Sequence, residues 1–404
     1  MSNAYDEINM RQPSKWRQHF TLDLPVLEKA GRVWIHACSV GEVGSVTSLI
    51  NRLLDEGQQV HLTVVTRTGF AHAERLFGNR ITKSWLPWDL FGLMSRFVKH
   101  LKPSLLLLCE TEFWPGMLKA CKHENIPVIG VNTRISDRSF PRYHATRFLW
   151  KKWLAPISLF LAQSAIDAQR LEALGVNSEK IKTVGNLKFA ITAPAVDSRQ
   201  VRQLIDPSEK RPILVVASTH EDEEAQIMAM LPTWQHITPN LLTLIVPRHP
   251  ERFSHIAALL TEQSISFTRY IEERKGDESV VLIDAMGVLT SLYTIADLVF
   301  IGGSLVSTGG HNPLEAAVCG RGVVTGPYVF NFRTVMDDMQ HDGAAIITKN
   351  KTELEQAISH LLKHPNELQT LHAKAALFMQ NQQDVLEHMW QEIEPELNRI
   401  EKKE

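Results

Sequence analysis

Cysteine is scarce in this 404-residue chain. The four present, Cys38, Cys109, Cys121 and Cys319, lie far apart and form no C-x-x-C pair. That excludes a zinc knuckle and a disulfide framework, and it points to a reducing compartment. An excess of either charge is also lacking: Lys+Arg is 43 and Asp+Glu 45, a net of -2. A broad footprint on duplex nucleic acid is therefore not expected, although a small anionic ligand needs only a few local cations. No apolar run approaches the ~20 residues that span a bilayer, and the polar start at Met1–Asn9 gives no signal peptide. The 17 histidines show no H-E-x-x-H spacing, so no metal site is indicated. G-x-S-x-G, a Walker lysine, and G-x-G-x-x-G after the first strand are absent too. This weakens serine hydrolase, P-loop and NAD dehydrogenase readings.

What is present is a recurring unit: a short apolar run, a polar or glycine loop, then a helical pattern. The runs fall at 33–37, 60–65, 105–108, 128–131 and 159–162, then at 213–216, 242–246, 280–283, 298–301 and 322–324. Continuous apolar runs alternating with helices predict α/β domains with parallel sheets covered on both faces. A Pro- and charge-rich break near 190–212 suggests two doubly wound domains, over 1–195 and 196–380. A terminal helix over 381–404 is expected to pack back on the first. Such sheets bind ligands beyond the carboxyl ends of their strands, so the residues after each run are where a site is sought.

The richest of these segments is Gly302–Glu315. Its glycines allow close backbone approach. Asn312 fits N-cap, Pro313 N1 and Glu315 N3 of a following helix. The N–H groups there suit a phosphate, with Glu315 closing the cap or accepting from ribose hydroxyls. A tight, well-capped turn without a ligand is the plainer alternative. Arg248, braced by Pro247 and Pro250, suits a phosphate or is a solvated surface arginine. Lys188 is a similar cation on a turn. Glu42 has capping-box spacing to Ser39, which favours a structural role; the other reading is a general base. Glu110 and Glu112 either orient a substrate or cap a helix start. The basic, aromatic stretches Lys15–Phe20 and Arg142–Trp153 have the composition of a membrane interface, or of solvated basic helix faces.

Taken together, these blocks resemble the 3-deoxy-D-manno-oct-2-ulosonic acid (Kdo) transferases of Gram-negative bacteria. The blocks are Trp34–Val43, Glu110–Pro115, Asn132–Ser136, Gly185–Phe189, Ser218–Glu221, Pro247–His249 and Gly302–Glu315. The resemblance implies a GT-B fold, two Rossmann-like domains facing across a cleft, the first binding the acceptor and the second the CMP-sugar. It implies an inverting, metal-independent glycosyltransferase without cofactor, moving Kdo from CMP-Kdo to a lipid A precursor hydroxyl in lipopolysaccharide biosynthesis. Glu42 then resembles the general base, and Glu112 with Lys188 the pair that stabilises the transition state. Pro247, Arg248, Met286, Gly287, Val288, Asn312, Pro313, Leu314 and Glu315 resemble the CMP-binding positions. Val288 stands where the family often has Glu, so a carboxylate contact to CMP is not expected there. Relatives usually begin with a membrane anchor, and this chain starts about where that anchor would end. A peripheral protein on the cytoplasmic face of the inner membrane is expected. The rival readings are a UDP-using transferase or epimerase of the same fold, and a non-catalytic nucleotide-binding protein at the membrane surface.

Overall fold

The computed structural model describes residues 14–26, 30–272, 278–382 and 384–401. The polar start at Met1–Asn9 lies outside the described residues. Among those described, no helix is long and apolar enough to cross a membrane. The chain forms two compact units, residues 1–190 with 382–404, and residues 191–381.

The first unit is a seven-stranded sheet. Its strands are β1 (Val33–His36), β2 (Val60–Val64), β3 (Thr82–Trp85), β4 (Leu105–Cys109), β5 (Val128–Thr133), β6 (Leu159–Ala162) and β7 (Ile181–Thr183). Their order is β3-β2-β1-β4-β5-β6-β7, and every pairing is parallel. Side chains alternate along a strand, so Val33 and Ile35 enter one core while Trp34 enters the other. The first core also takes in Val385, Met389, Trp390, Ile393 and Leu397, the apolar stripe of the terminal helix Val385–Glu401.

The second unit repeats the plan with β8 (Ile213–Thr219), β9 (Leu242–Pro247), β10 (Phe267–Arg269), β11 (Val280–Leu282), β12 (Leu298–Ile301), β13 (Val323–Thr325) and β14 (Ala345–Ile347). The order is β10-β11-β9-β8-β12-β13-β14, again all parallel. β8 is buried along its whole length, which requires cover on both faces. Two doubly wound units of this kind are the fold class that the alternation of apolar runs and helices predicts.

The apolar runs account for ten strands. The four they miss, β3, β7, β10 and β14, are the four sheet edges. These strands are only partly buried, so a continuous apolar run is neither needed nor safe there. The winding direction reverses between β1 and β4 in one unit and between β8 and β12 in the other. Crevices at such reversals are where ligands bind.

Candidate functional site

In the first unit, Ser39 ends the β1 loop and caps the helix Val40–Ser45, its hydroxyl accepting from Glu42 N–H at 3.4 Å. The Glu42 carboxylate accepts from Cys38 N–H at 2.7 Å and from the Ser39 hydroxyl at 3.0 Å. The capping box is therefore built, and it fixes the carboxyl group at the end of β1. Burial pushes the Glu42 carboxyl up to about 7, with the nearby Glu112 charge adding to the rise. A cap and a base are thus compatible roles, because a carboxyl that titrates near neutrality can take a proton there. Cys38, Glu42 and Glu112 present potential ligand atoms within 4.8 Å of one another. The Cys38 thiol is pushed up to about 12, mainly by burial.

Glu110 and Glu112 do not cap the helix Pro115–His123. Asp89 does so, accepting from Gly116 N–H at 2.8 Å and Met117 N–H at 2.7 Å. Glu112 is instead gripped by Trp114 Nε1–H at 2.7 Å and faces His36 Nε2 at 3.4 Å. Burial raises its carboxyl, but His36 and Trp114 outweigh that and hold it below the ordinary range. Trp114 is thus a hydrogen-bond donor to this cluster. His36, fully buried, contacts Thr63 through Nδ1 at 2.9 Å. The structure brings Lys188 Nζ to 3.8 Å from Glu110 Oε1; its ion-pair partner is Glu110 and not Glu112. The Lys188 turn is set by Asn132, whose side-chain oxygen accepts from Leu187 N–H at 2.9 Å. Glu110 and Asn132 both stand in the left-handed region, at φ 53° and 51°. For residues with a Cβ this backbone costs energy, and it often marks functional strand ends.

In the second unit, the start of the glycine segment after β12 is held from within the protein. The backbone N–H groups of Gly303, Ser304 and Leu305 do not wait for a phosphate. All three donate to the carboxylate of Glu223, at 2.6, 2.9 and 2.8 Å, and His220 N–H donates to it at 3.0 Å. Glu223 is completely buried. An internal anion therefore fills the nest that the loop makes. Gly309 and Gly310 N–H bond back to Gly303 O, at 3.0 and 2.8 Å. The glycines serve close packing: a Cβ on Gly309, at φ 102°, would meet the Phe330 ring at 2.4 Å.

The helix after this loop is also shorter than the sequence suggests, spanning only Leu314–Ala317, with Pro313 in the N-cap position. Asn312 still caps it, accepting from Leu314 N–H at 3.1 Å. One turn of helix carries little dipole, so positive charge near this loop comes from side chains. Burial raises the Glu315 carboxyl, with Asn312 and Arg248 opposing the rise. Arg248 follows β9 with its N–H on Thr219 O at 3.1 Å. Its side chain is exposed and makes no hydrogen bond or ion pair among the described residues. Met286 is exposed, and Gly287, at φ 81°, has open space where a Cβ would be. Val288 N-caps the helix Leu289–Tyr293.

Sequence reasoning missed His36, Glu223 and the pairing of His220 with His311. In that pair the rings are nearly coplanar and meet end to end, Nε2 to Nε2 at 2.7 Å. The signal was present in the Thr219–Glu224 run, but only the fold shows what the carboxylate meets. A further group, His360, His364 and Glu367, has helical ligand spacing and is exposed, with His360 Nε2 already on Glu367 at 2.9 Å.

Residues 14–191 match the family model described as 3-deoxy-D-manno-octulosonic-acid transferase (kdotransferase). The 3-deoxy-D-manno-octulosonic acid transferase of Haemophilus influenzae is 34% identical over 374 residues, 91% of this chain and 87% of that protein. The enzyme of the same name from Bordetella pertussis is 34% identical over 85% of this chain and 82% of its own length. Among solved structures, UDP-GlcNAc 2-epimerase from Neisseria meningitidis bound to UDP-GlcNAc aligns with 87% of this chain and 99% of its own. Its TM-score is 0.54 at 12% identity, a likeness of fold alone. Identity of this extent to whole-length relatives makes the chain a member of the 3-deoxy-D-manno-octulosonic acid transferase family.

Proposed function

We propose that the chain transfers Kdo from CMP-Kdo to a hydroxyl of a lipid A precursor, with inversion at the anomeric carbon. The observation that carries the chemistry is the Glu42 carboxyl, fixed by two hydrogen bonds and pushed up to about 7 by its surroundings. Ionised, it takes the proton of the attacking hydroxyl. That oxygen bonds to the anomeric carbon as the bond to the CMP phosphate breaks and its electron pair leaves with the phosphate. Glu112 and Lys188 steady the cationic sugar and the departing charge. Pro247, Arg248, Met286–Val288 and Asn312–Glu315 hold the nucleotide in the second unit. A membrane surface suits an acylated acceptor, and Trp16 and Phe20, 58% and 51% exposed, stand beside Arg17.

The test is incubation with CMP-Kdo and a lipid A precursor, with product mass as the readout. A mass increase of one or more Kdo units supports the reading; CMP-Kdo left intact with acceptor present sinks it. Competition between CMP and UDP separates a UDP-using enzyme of the same fold. Glu42→Gln should lower kcat by ~10²–10⁴-fold, the usual worth of a general base, with CMP affinity unchanged by calorimetry. Full turnover in that variant would move the base elsewhere.

A further inference from the structure

We propose that His220 and His311, with Arg248, form the seat of the nucleotide's phosphate. The inference rests on the reading of the second unit as the CMP-binding unit. The loop's own donors at Gly303, Ser304 and Leu305 are taken by Glu223, and the helix beyond is a single turn. Side chains are then the main source of positive charge for an anion here. At the reversal of the sheet three strand ends supply them: His220 after β8, Arg248 and His249 after β9, and His311 after β12. The two imidazoles lie parallel, 7° apart in plane, and His249 stands edge-on to His220 at 5.2 Å. They rest on Gly303, where a Cβ would come within 3.2 and 3.3 Å of the two rings. Only glycine lets both rings settle there.

The charges around the pair are unbalanced. Arg248, Arg252 and His249 face it from β9 and the turn that follows. Of the carboxylates, Glu224 is engaged by Arg252 at 2.9 Å, with Glu221 3.8 Å from the same guanidinium. Glu223 is saturated by backbone donors. Glu315 is held by Asn312, a weak contact at 3.5 Å. Arg248 forms no ion pair among the described residues, and its charge is felt at Glu315. Burial and these cations push His311 down to about 4 and lower His220 as well. The empty pair is therefore neutral and shares one proton between its Nε2 atoms. A field that expels protons from imidazole attracts a phosphate dianion. Once the dianion is seated, the field at the rings reverses, and the ring whose Nε2 donates takes up a proton at its free Nδ1, which gives the pair one positive charge.

The experiment is titration calorimetry of the whole chain with CMP and with cytidine, at about pH 8, where free CMP is a dianion and both imidazoles are neutral. Heats are compared in buffers of different ionisation enthalpy. Wild-type protein should take up protons on binding CMP and none on binding cytidine. His220→Gln and His311→Gln should each weaken CMP by about tenfold or more, the worth of a hydrogen bond to a charged group. Both should lose the proton uptake and bind cytidine as before. Undiminished CMP affinity in both folded variants overturns the inference. So does equal wild-type affinity for CMP and cytidine, or CMP binding without proton uptake, a measurement that needs no variant. CMP failing to bind wild-type protein at all would overturn the nucleotide reading itself, and this inference with it.

Discussion

At the scale of single residues, the proposed chemistry rests on carboxyl groups whose surroundings differ within a few ångströms. Glu42 is raised, chiefly by burial, and Glu112 is lowered because His36 and Trp114 outweigh burial. One carboxyl therefore titrates near neutrality while its neighbour stays ionised, the usual division between a base and a fixed charge. A base must be ionised to act, so kcat/KM should rise with pH through about 7 and level off above. A profile flat across that range would remove Glu42 from the role. Linkage gives a second, independent prediction. The folded state binds a proton on Glu42 more tightly than the unfolded chain does, so stability falls as pH rises from the ordinary carboxyl range through about 7. Glu42→Gln should thus raise the melting temperature at pH values above that window. The gain should vanish below it, as thermal melts across pH would reveal.

At the scale of elements, the candidate site residues gather at strand ends, and some of the backbone there is left-handed. Glu110, Asn132 and Ser218 occupy the left-handed region at φ 53°, 51° and 54°. Glu110 directly follows β4, whereas Asn132 and Ser218 each stand one residue before the end of their strand, where the pairing register shifts. The loop after β12 is held by Glu223, which answers four N–H groups from two segments. Glu223→Ala would leave those donors buried and unpaired. It should cost at least about 3 kcal/mol in urea denaturation, since each such group is worth about 1–3 kcal/mol. Amide exchange at Gly303, Ser304 and Leu305 should accelerate in the same variant. Unchanged protection would mean that packing alone holds the loop.

At the scale of the whole molecule, the first unit is discontinuous in sequence. Its core needs Val385, Met389, Trp390, Ile393 and Leu397, from the far end of the chain. Arg52 lies over the Trp390 ring at 5.0 Å, and Lys182 pairs with Glu392 at 2.6 Å. Burying five large apolar side chains contributes about 1.5–3 kcal/mol each, comparable with the whole stability of a domain. Removal of residues 382–404 should abolish the cooperative melting of the first unit and leave that of the second, as calorimetry would resolve. Two intact transitions would show that the helix is dispensable. On the proposed membrane reading, Trp16→Ala with Phe20→Ala should reduce co-sedimentation with anionic lipid vesicles; undiminished binding would remove these two side chains from that reading.

The sequence by itself determined the class of fold and nominated the strand ends where a site is proposed. Interior strands must be apolar on both faces, so their runs are legible, and the polar residues after them mark the carboxyl ends. Edge strands escaped because an exposed edge imposes no such pattern. The partners of each polar group were decided only in three dimensions. Glu42 turned out to satisfy a cap and still titrate near neutrality, and Asp89 took the helix start expected of Glu110 or Glu112. Glu223 took the N–H groups that open the glycine loop, at Gly303, Ser304 and Leu305. Hydrogen bonds and burial depend on distances between segments far apart in the chain, and local spacing carries no record of those distances.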